Sequence, residues 1–193
     1  MAADPELWEK ARRGDAEAFG EIYARHVRAV QSYCLWRTAD LRLAEDATST
    51  VFLEAWRQRR RLDLRTESAV PLLLGVATNV LRQQWRAIRR HRGALERLRG
   101  VRVQEPEDVE AGALARMEAI HRVGEAGEEI RALPRGERDV LALIAWGELS
   151  YEETAAALGV PIGTVRSRLA RARGRLGSAF AEPPAMTHPK EET

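Results

Sequence analysis

Five arginines and no acid fall between Pro161 and Ser178, and no other stretch of the chain is so well suited to meeting a polyanion. They sit in Leu149–Leu176, LSYEETAAALGVPIGTVRSRLARARGRL. Ile162, Val165, Leu169, Ala172 and Leu176 recur at spacings of three and four, the signature of one buried helix face. At about 100° per residue, Gly163, Ser167, Ala170, Arg171 and Gly174 fall opposite that face. Arg166 and Arg173 line one edge, Arg168 and Arg175 the other. A guanidinium keeps its charge and offers forked donors to phosphate or to a base edge. A ridge of small and polar residues between two arginine rails therefore suits a DNA major groove, with bases under the ridge and phosphates along the rails. An ordinary amphipathic surface helix would explain the apolar stripe but not the arginine-only charge or the central glycines.

The residues before this helix supply the means to position it. Ser150 and Glu153 have the spacing of a capping box. Gly159 suits a tight left-handed turn after Ala155–Leu158, and Pro161 fixes the start of the next helix. A short capped helix, a turn and a second helix make helix-turn-helix grammar.

Charge along the rest of the chain is sorted. From Arg57 to Arg102 there are thirteen arginines against three acids, Asp63, Glu67 and Glu96. From Glu105 to Glu129 eight acids face only Arg116 and Arg122, although the net charge of the whole chain is only +2. Two basic blocks split by an acidic stretch imply a polyanion touched twice. Other chemistry is thinly represented. Cys34 is the single cysteine, set beside Tyr33, Leu35 and Trp36, which favours a buried inert thiol. His26, His91, His121 and His188 are scattered without ligand spacing. No nucleophile–base pair or phosphate-binding glycine loop is visible, so we expect no enzyme, cofactor or metal. The start of the chain lacks a signal-peptide pattern, and the longest apolar run, Ala69–Ala77, is too short to span a bilayer. A cytoplasmic protein without membrane insertion is expected.

Few β-branched runs and abundant Leu, Ala and Arg point to an all-α fold. Residues 5–12 read as a short helix stopped near Gly14. A second helix starts at Asp15, carries Phe19, Ile22, Tyr23, His26, Val30 and Tyr33 on one face, and ends near Thr38. A third starts at Asp40, with Leu43, Ala47, Val51 and Ala55 as its stripe, widened by Phe52 and Trp56. A fourth starts at Ser68–Pro71, where proline is tolerated, and continues to Ile88. These helices form one bundle over residues 5–95. The glycine-, proline- and acid-bearing stretch from Gly93 reads as a flexible linker over 96–112. A second helical domain spans 113–179, restarting at Pro134, with Val140, Leu141, Leu143 and Ile144 in its core and Gly147 as a stop. Residues 180–193 read as a disordered tail.

The segment Leu133–Leu176 resembles region four of sigma-70 family factors, specifically the small extracytoplasmic-function group. The N-terminal bundle is similar to region two. AEDATSTVFLEAWR (Ala44–Arg57) resembles the helix that docks on the polymerase clamp, and LLLGVATNVLR (Leu72–Arg82) the helix that faces the −10 element. The resemblance covers most of residues 8–178. It implies a factor that binds core RNA polymerase, at the largest-subunit clamp and the flap, and directs promoter-specific transcription initiation. In that reading Thr164, Arg166, Ser167, Arg168, Arg171 and Arg173 meet −35 DNA. The loop Leu62–Ser68, with Asp63, Arg65, Thr66 and Glu67, holds a flipped −10 base. Asn79 faces the same DNA, and Arg82, Arg86, Arg89 and Arg90 follow upstream phosphates. Glu45, Asp46, Ser49 and Glu54 meet the polymerase. The chain departs from the family at Ser49 and Thr50, where Gln and an acid are common, and at Leu72, where Trp is common.

Other readings stay open at this level. One is a LuxR-type helix-turn-helix regulator that acts without core polymerase, the bundle serving as a sensing or dimerisation domain. Another is a protein-interaction module whose arginines are solvated. The sequence names neither promoter nor signal, and leaves open whether an anti-sigma factor binds. The linker also suggests that the two domains change their relative arrangement between inactive and active states.

Overall fold

The computed structural model describes residues 2–99, 129–130 and 132–177, with backbone alone at 88, 89 and 91–99. The expected linker beyond residue 99, the second domain before residue 129 and the C-terminal tail lie outside the described residues. Among the described residues seven helices are defined and no strand. They are α1 (Asp4–Arg12), α2 (Ala16–Thr38), α3 (Leu41–Gln58), α4 (Val70–Arg99), α5 (Arg135–Ala145), α6 (Tyr151–Leu158) and α7 (Ile162–Leu176).

Local chemistry sets most boundaries. Asp15 accepts from the backbone N–H groups of Glu17 and Ala18 at 3.0 and 3.1 Å, satisfying first-turn donors of α2. Asp40 does the same for Leu43 at 3.0 Å and starts α3. Ser68 Oγ accepts from Val70 N–H at 3.2 Å, and Pro71 sits in the first turn of α4. In α6, Ser150 accepts from Glu153 N–H at 3.1 Å while the Glu153 carboxylate accepts from Ser150 N–H at 2.8 Å, the complete capping box. Gly159 takes φ 64° and ψ 38° and turns the chain toward α7.

Two expectations need correction and a third refinement. Helix α4 continues through Arg99, so the chain does not change character at Gly93. Tyr23 leaves the apolar stripe of α2 and is 46% exposed, stacking edge-on against Phe52. Helix α5 ends at Ala145, just before Gly147, but it is Glu148 and not the glycine that takes the left-handed conformation, at φ 53°. Gly147 is small for another reason. A Cβ there would lie 2.6 Å from its own helix carbonyl at Leu143 and 2.8 Å from Leu74 Cδ1 of α4.

Helices α1–α4 enclose a core that includes Trp8, Ile22, Val30, Tyr33, Val51, Leu73, Leu74 and Leu81, all at most 2% exposed. Helices α5–α7 enclose a second, of Val140, Leu141, Val165, Leu169, Ala172 and Leu176. The five residues spaced along α7 thus face inward as their periodicity requires, Ile162 only partly. The two cores meet. Ala142, Leu143 and Leu149 pack into the first, and Trp36 and Leu158 touch both. Helix α6 lies against α4, with Gly75 facing Ala157 so closely that a Cβ on Gly75 would be 2.7 Å from the Ala157 carbonyl oxygen.

Candidate nucleic-acid interface

The arginine-bearing face of α7 is presented outward. Arg166, Ser167, Ala170, Arg171, Arg173, Gly174 and Arg175 are exposed, and Thr164 and Arg168 are half-buried. Ser167 Oγ donates to the Thr164 carbonyl at 3.1 Å, so its hydroxyl is held along the helix. One rail is anchored from below by an acid that the sequence reading passed over. Glu137, in the first turn of α5 and 5% exposed, lies 3.1 Å from Arg175 Nε and 3.6 Å from Arg171 Nε. Arg168 packs its guanidinium over Gly136, where a Cβ would come within 3.0 Å. The edge with Arg168 and Arg175 is therefore braced against α5, while Arg166 and Arg173 are exposed and have no ion pair among the described residues. Glu137 precedes the apolar run of α5 by one turn, and that spacing was the available signal for its burial.

Of the expected −10 residues, Asp63, Arg65, Thr66 and Asn79 line one cleft. Arg61, Leu62, Asp63, Arg65 and Thr66 line it from the loop between α3 and α4. Pro71, Leu72, Gly75, Val76 and Asn79 line it from α4, and Ala156, Ala157 and Gly159 from α6, around about 370 Å³. Asp63 and Arg65 are exposed and pair with each other at 3.2 Å. Thr66 Oγ1 donates to the Ser68 carbonyl at 2.6 Å. Glu67 is exposed beside them. Asn79 is exposed and its Oδ1 accepts from Arg82 Nη1 at 3.4 Å. Arg86 and Arg90 are exposed further along α4. The structure thus brings the loop residues, Asn79 and Arg82 to one side of the bundle, and places α6 of the second unit at its rim.

Arg82 is not free. Its Nε and Nη2 donate to Asp139 Oδ2 at 2.9 and 2.7 Å. Arg37 Nη2 meets the other oxygen at 2.7 Å, with both of those side chains 2% exposed. Arg37 also donates to the Tyr33 hydroxyl at 3.3 Å, and Tyr33 in turn donates to Thr78 Oγ1 at 2.8 Å, since Thr78 spends its own proton on the Leu74 carbonyl. Burial raises the Tyr33 hydroxyl above its ordinary range, against the opposing charge of Arg37. Burial opposes the charge on Arg37, but Tyr33 and Asp139 outweigh it and hold the guanidinium protonated. Aromatic groups close the same contact. Trp36 stacks on Trp146 with centroids 3.8 Å apart, and Trp85 lies between Arg37 and Arg138, at 5.4 and 5.7 Å. Asp139, Arg37 and the tryptophan pair carried no sequence signal, because each finds its partner across the fold.

The polar side of α3 is open. Glu45, Asp46 and Ser49 are exposed, with Arg42, Thr50 and Leu53 beside them, Leu53 at 58%. Glu54 is half-buried, accepts from Gln58 and lies 3.8 Å from Arg57. Cys34 is fully buried, and burial pushes its thiol up to about 11 despite the hydrogen bond to Thr48. Among the described residues no group of three or more His, Cys, Asp or Glu could hold a metal ion. Among them, too, no helix is long and apolar enough to cross a membrane.

Comparison with known proteins bears on this arrangement directly. Residues 22–91 match the family model for sigma-70 region 2, and residues 124–176 that for sigma-70 region 4. The extracytoplasmic-function (ECF) RNA polymerase sigma factor SigC of Mycobacterium tuberculosis is 32% identical over 190 residues, covering 96% of this chain and 97% of that protein. The ECF sigma factor RpoE of Cereibacter sphaeroides is 26% identical over 171 residues, covering 84% of this chain and 86% of its own. Among solved structures, CnrH in complex with the cytosolic domain of CnrY aligns with a TM-score of 0.64 at 24% identity, covering 91% of this chain and 95% of that one. The sigma factor RpoE of Bartonella quintana, in complex with the anti-sigma factor NepR, aligns at 0.55 and 22% identity, covering 83% and 95%.

Proposed function

The chain belongs to the sigma-70 family, in its extracytoplasmic-function group, and directs transcription initiation; on that premise we propose how its residues divide the work. Helix α7 reads −35 duplex DNA, with Arg166, Ser167 and Arg171 at base edges and Thr164, Arg168 and Arg173 placing the helix on the backbone. The loop Asp63–Glu67 and Asn79 read the −10 element, and Arg82 and Arg86 follow its upstream phosphates. Glu45, Asp46, Ser49 and Glu54 dock on core polymerase. The domains divide accordingly, residues 5–95 with α4 extending to Arg99 as region two and 113–179 as region four.

The observation that carries this reading is the outward arginine face of α7 mounted on a capped helix and glycine turn. A bidentate arginine–guanine pair is worth about 1–3 kcal/mol of discrimination, and Arg166 is unencumbered enough to make one. The work is binding work, and the proposal includes no catalytic activity of the chain's own. It also places the protein with the chromosome, in the cytoplasm. An anti-sigma partner, of the kind bound to the Bartonella quintana neighbour, is compatible with the open polar faces of α3 and α7. A LuxR-type regulator is not favoured, since the bundle it would use for sensing matches region two.

The test is transcription from a genomic fragment library by core polymerase with and without the chain. A set of start sites that depends on the chain is expected, sharing −35 and −10 sequences. Arg166→Ala should lower use of those promoters without changing the melting of the domain. Unchanged use of a −35-dependent promoter would sink the assignment of α7.

A further inference from the structure

Helix α1 lies outside the residues assigned to any DNA or polymerase contact, yet it is bonded to both ends of the loop that reads the −10 base. At the start of the loop, Trp8 Nε1 donates to the Leu62 carbonyl at 3.4 Å, from an indole 1% exposed. At its end, Asp4 Oδ2 accepts from the Ala69 N–H at 2.9 Å, and Ala69 is fully buried. Between these two anchors, 54 and 65 residues from their partners in sequence, hang Asp63, Arg65, Thr66 and Glu67.

Asp4 is itself rigidly held. Its side chain is 8% exposed, with Oδ1 3.0 Å from Arg25 Nη1 and Oδ2 2.5 Å from His26 Nε2. Arg25 Nη1 also donates to the Ala2 carbonyl at 2.8 Å, which ties the N-terminus to α2. The carboxylate sits at the first turn of α4, where Ser68 caps Val70 and leaves the Ala69 N–H for Asp4. A negative charge there is favoured by the orphan amides and the dipole of a long helix. Among the described residues the polar loop side chains bond only within the loop, while Leu62 and Leu64 pack against the bundle core. Asp63 pairs with Arg65 in solvent, and Thr66 bonds to Ser68. The position of the polar readers relative to α4 and Asn79 is therefore set by the bonds at the two ends together with the packing of Leu64.

We propose that Asp4 and Trp8 are positioning residues for −10 recognition: α1 clamps the two ends of the loop so that its readers meet a flipped base in one geometry. The proposal rests on the assignment of the loop to −10 reading made above. Displacements of about 1 Å at a recognition site cost up to 100-fold, so loosening either end should be visible as lost selectivity rather than lost folding.

The experiment uses the full chain with core polymerase and a chain-dependent promoter from the library, with each −10 position varied in turn. Wild type should discriminate at the captured base. Asp4→Ala should reduce that discrimination by roughly tenfold, with polymerase affinity and −35 dependence unchanged. Asp4→Asn keeps an oxygen for the Ala69 amide and should recover part of it. Trp8→Phe removes the donor to Leu62 while keeping an aromatic ring in place, and should lose about two- to fivefold, the range of one modest hydrogen bond. A purely structural role would instead lower use of every −10 variant alike. That uniform loss, or unchanged discrimination in folded Trp8→Phe and Asp4→Asn, overturns the proposal. Should Asp4→Ala fail to fold, the other two variants decide by the same criterion. If wild type transcribes but shows no discrimination at any −10 position, the −10 reading falls, and the clamp with it.

Discussion

Removing Asp139 should separate the two helical units without unfolding either. Asp139 accepts from Arg37, at 2.7 Å with both side chains 2% exposed, and from Arg82, which is 30% exposed. Taking away one partner of a buried, hydrogen-bonded ion pair costs about 3–5 kcal/mol, mostly because a charge stays buried alone. Arg82 contributes little to that figure, since water already reaches it. Arg37 has an escape: if α5 and α6 move off α4, it is rehydrated. The observed cost is therefore capped at the free energy that holds the units together, and Asp139→Asn should reach that cap. The native reporter is the Trp36–Trp146 pair, whose rings stack 3.8 Å apart and should couple as an exciton pair in circular dichroism. The couplet should collapse in Asp139→Asn while helix content is kept. Gly75→Ala should do the same through sterics alone, because its new Cβ would lie 2.7 Å from backbone oxygen that cannot yield. Spin or fluorophore pairs at Arg60→Cys and Glu152→Cys, in a Cys34→Ala background, should report a longer and broader distance in both variants. Retention of the couplet and of the wild-type distance in both would refute the reasoning. If the proposed assignment holds, binding to polymerase should produce the same separation in wild type, because Arg82 and the cleft between the α3–α4 loop and α4 are engaged by the second unit.

Three further outcomes follow from local chemistry. Asp4→Asn should lower stability at neutral pH by about 1–3 kcal/mol, since charged hydrogen bonds to Arg25 are lost. Burial alone would raise the Asp4 pKa, but the Ala69 amide, His26 and Arg25 together hold it below 3.8, so its contribution is full above that value and fades as pH falls further; urea melts across pH 2.5–7 should show the gap between variant and wild type closing at the acid end. Ser150→Ala removes the cap of α6 and should cost about 1 kcal/mol in thermal melts, with Ser150→Thr nearly neutral. Cys34, with its thiol pushed up to about 11 and fully buried, should resist a thiol reagent at pH 8 in the native chain and react at once in denaturant.

Features decided within one helical turn were legible in the residues. The capping box at Ser150, the caps at Asp15 and Asp40, the left-handed Gly159 and the inward stripe of α7 all depend on neighbours three or four positions away. The same locality explains the limits. Gly147 stands just past the end of α5, but its smallness answers to Leu74 from another helix, and Glu148 makes the turn. Tyr23 fits the α2 stripe by spacing, yet it stays 46% exposed with its ring edge-on to Phe52. The pairing of Arg82 with Asp139 had no local signal at all. Only the packing of α5 against α2 and α4 brings them to hydrogen-bond distance. Helix α1 read as a simple end to the bundle, whereas its Asp4 reaches Ala69 across 65 positions, a distance no local pattern encodes.

A chain that selects promoters as a subunit of polymerase should do so only together with core enzyme. The most direct measurement is binding of a chain-dependent promoter fragment, and of the same fragment with scrambled −35 and −10 sequences, by chain alone, core alone and the two combined at fixed salt. Sequence-selective binding is expected of the combination only, with transcripts starting downstream of the protected −10 region. Equal selectivity by the chain alone, with no transcript gained on adding core polymerase, would contradict it.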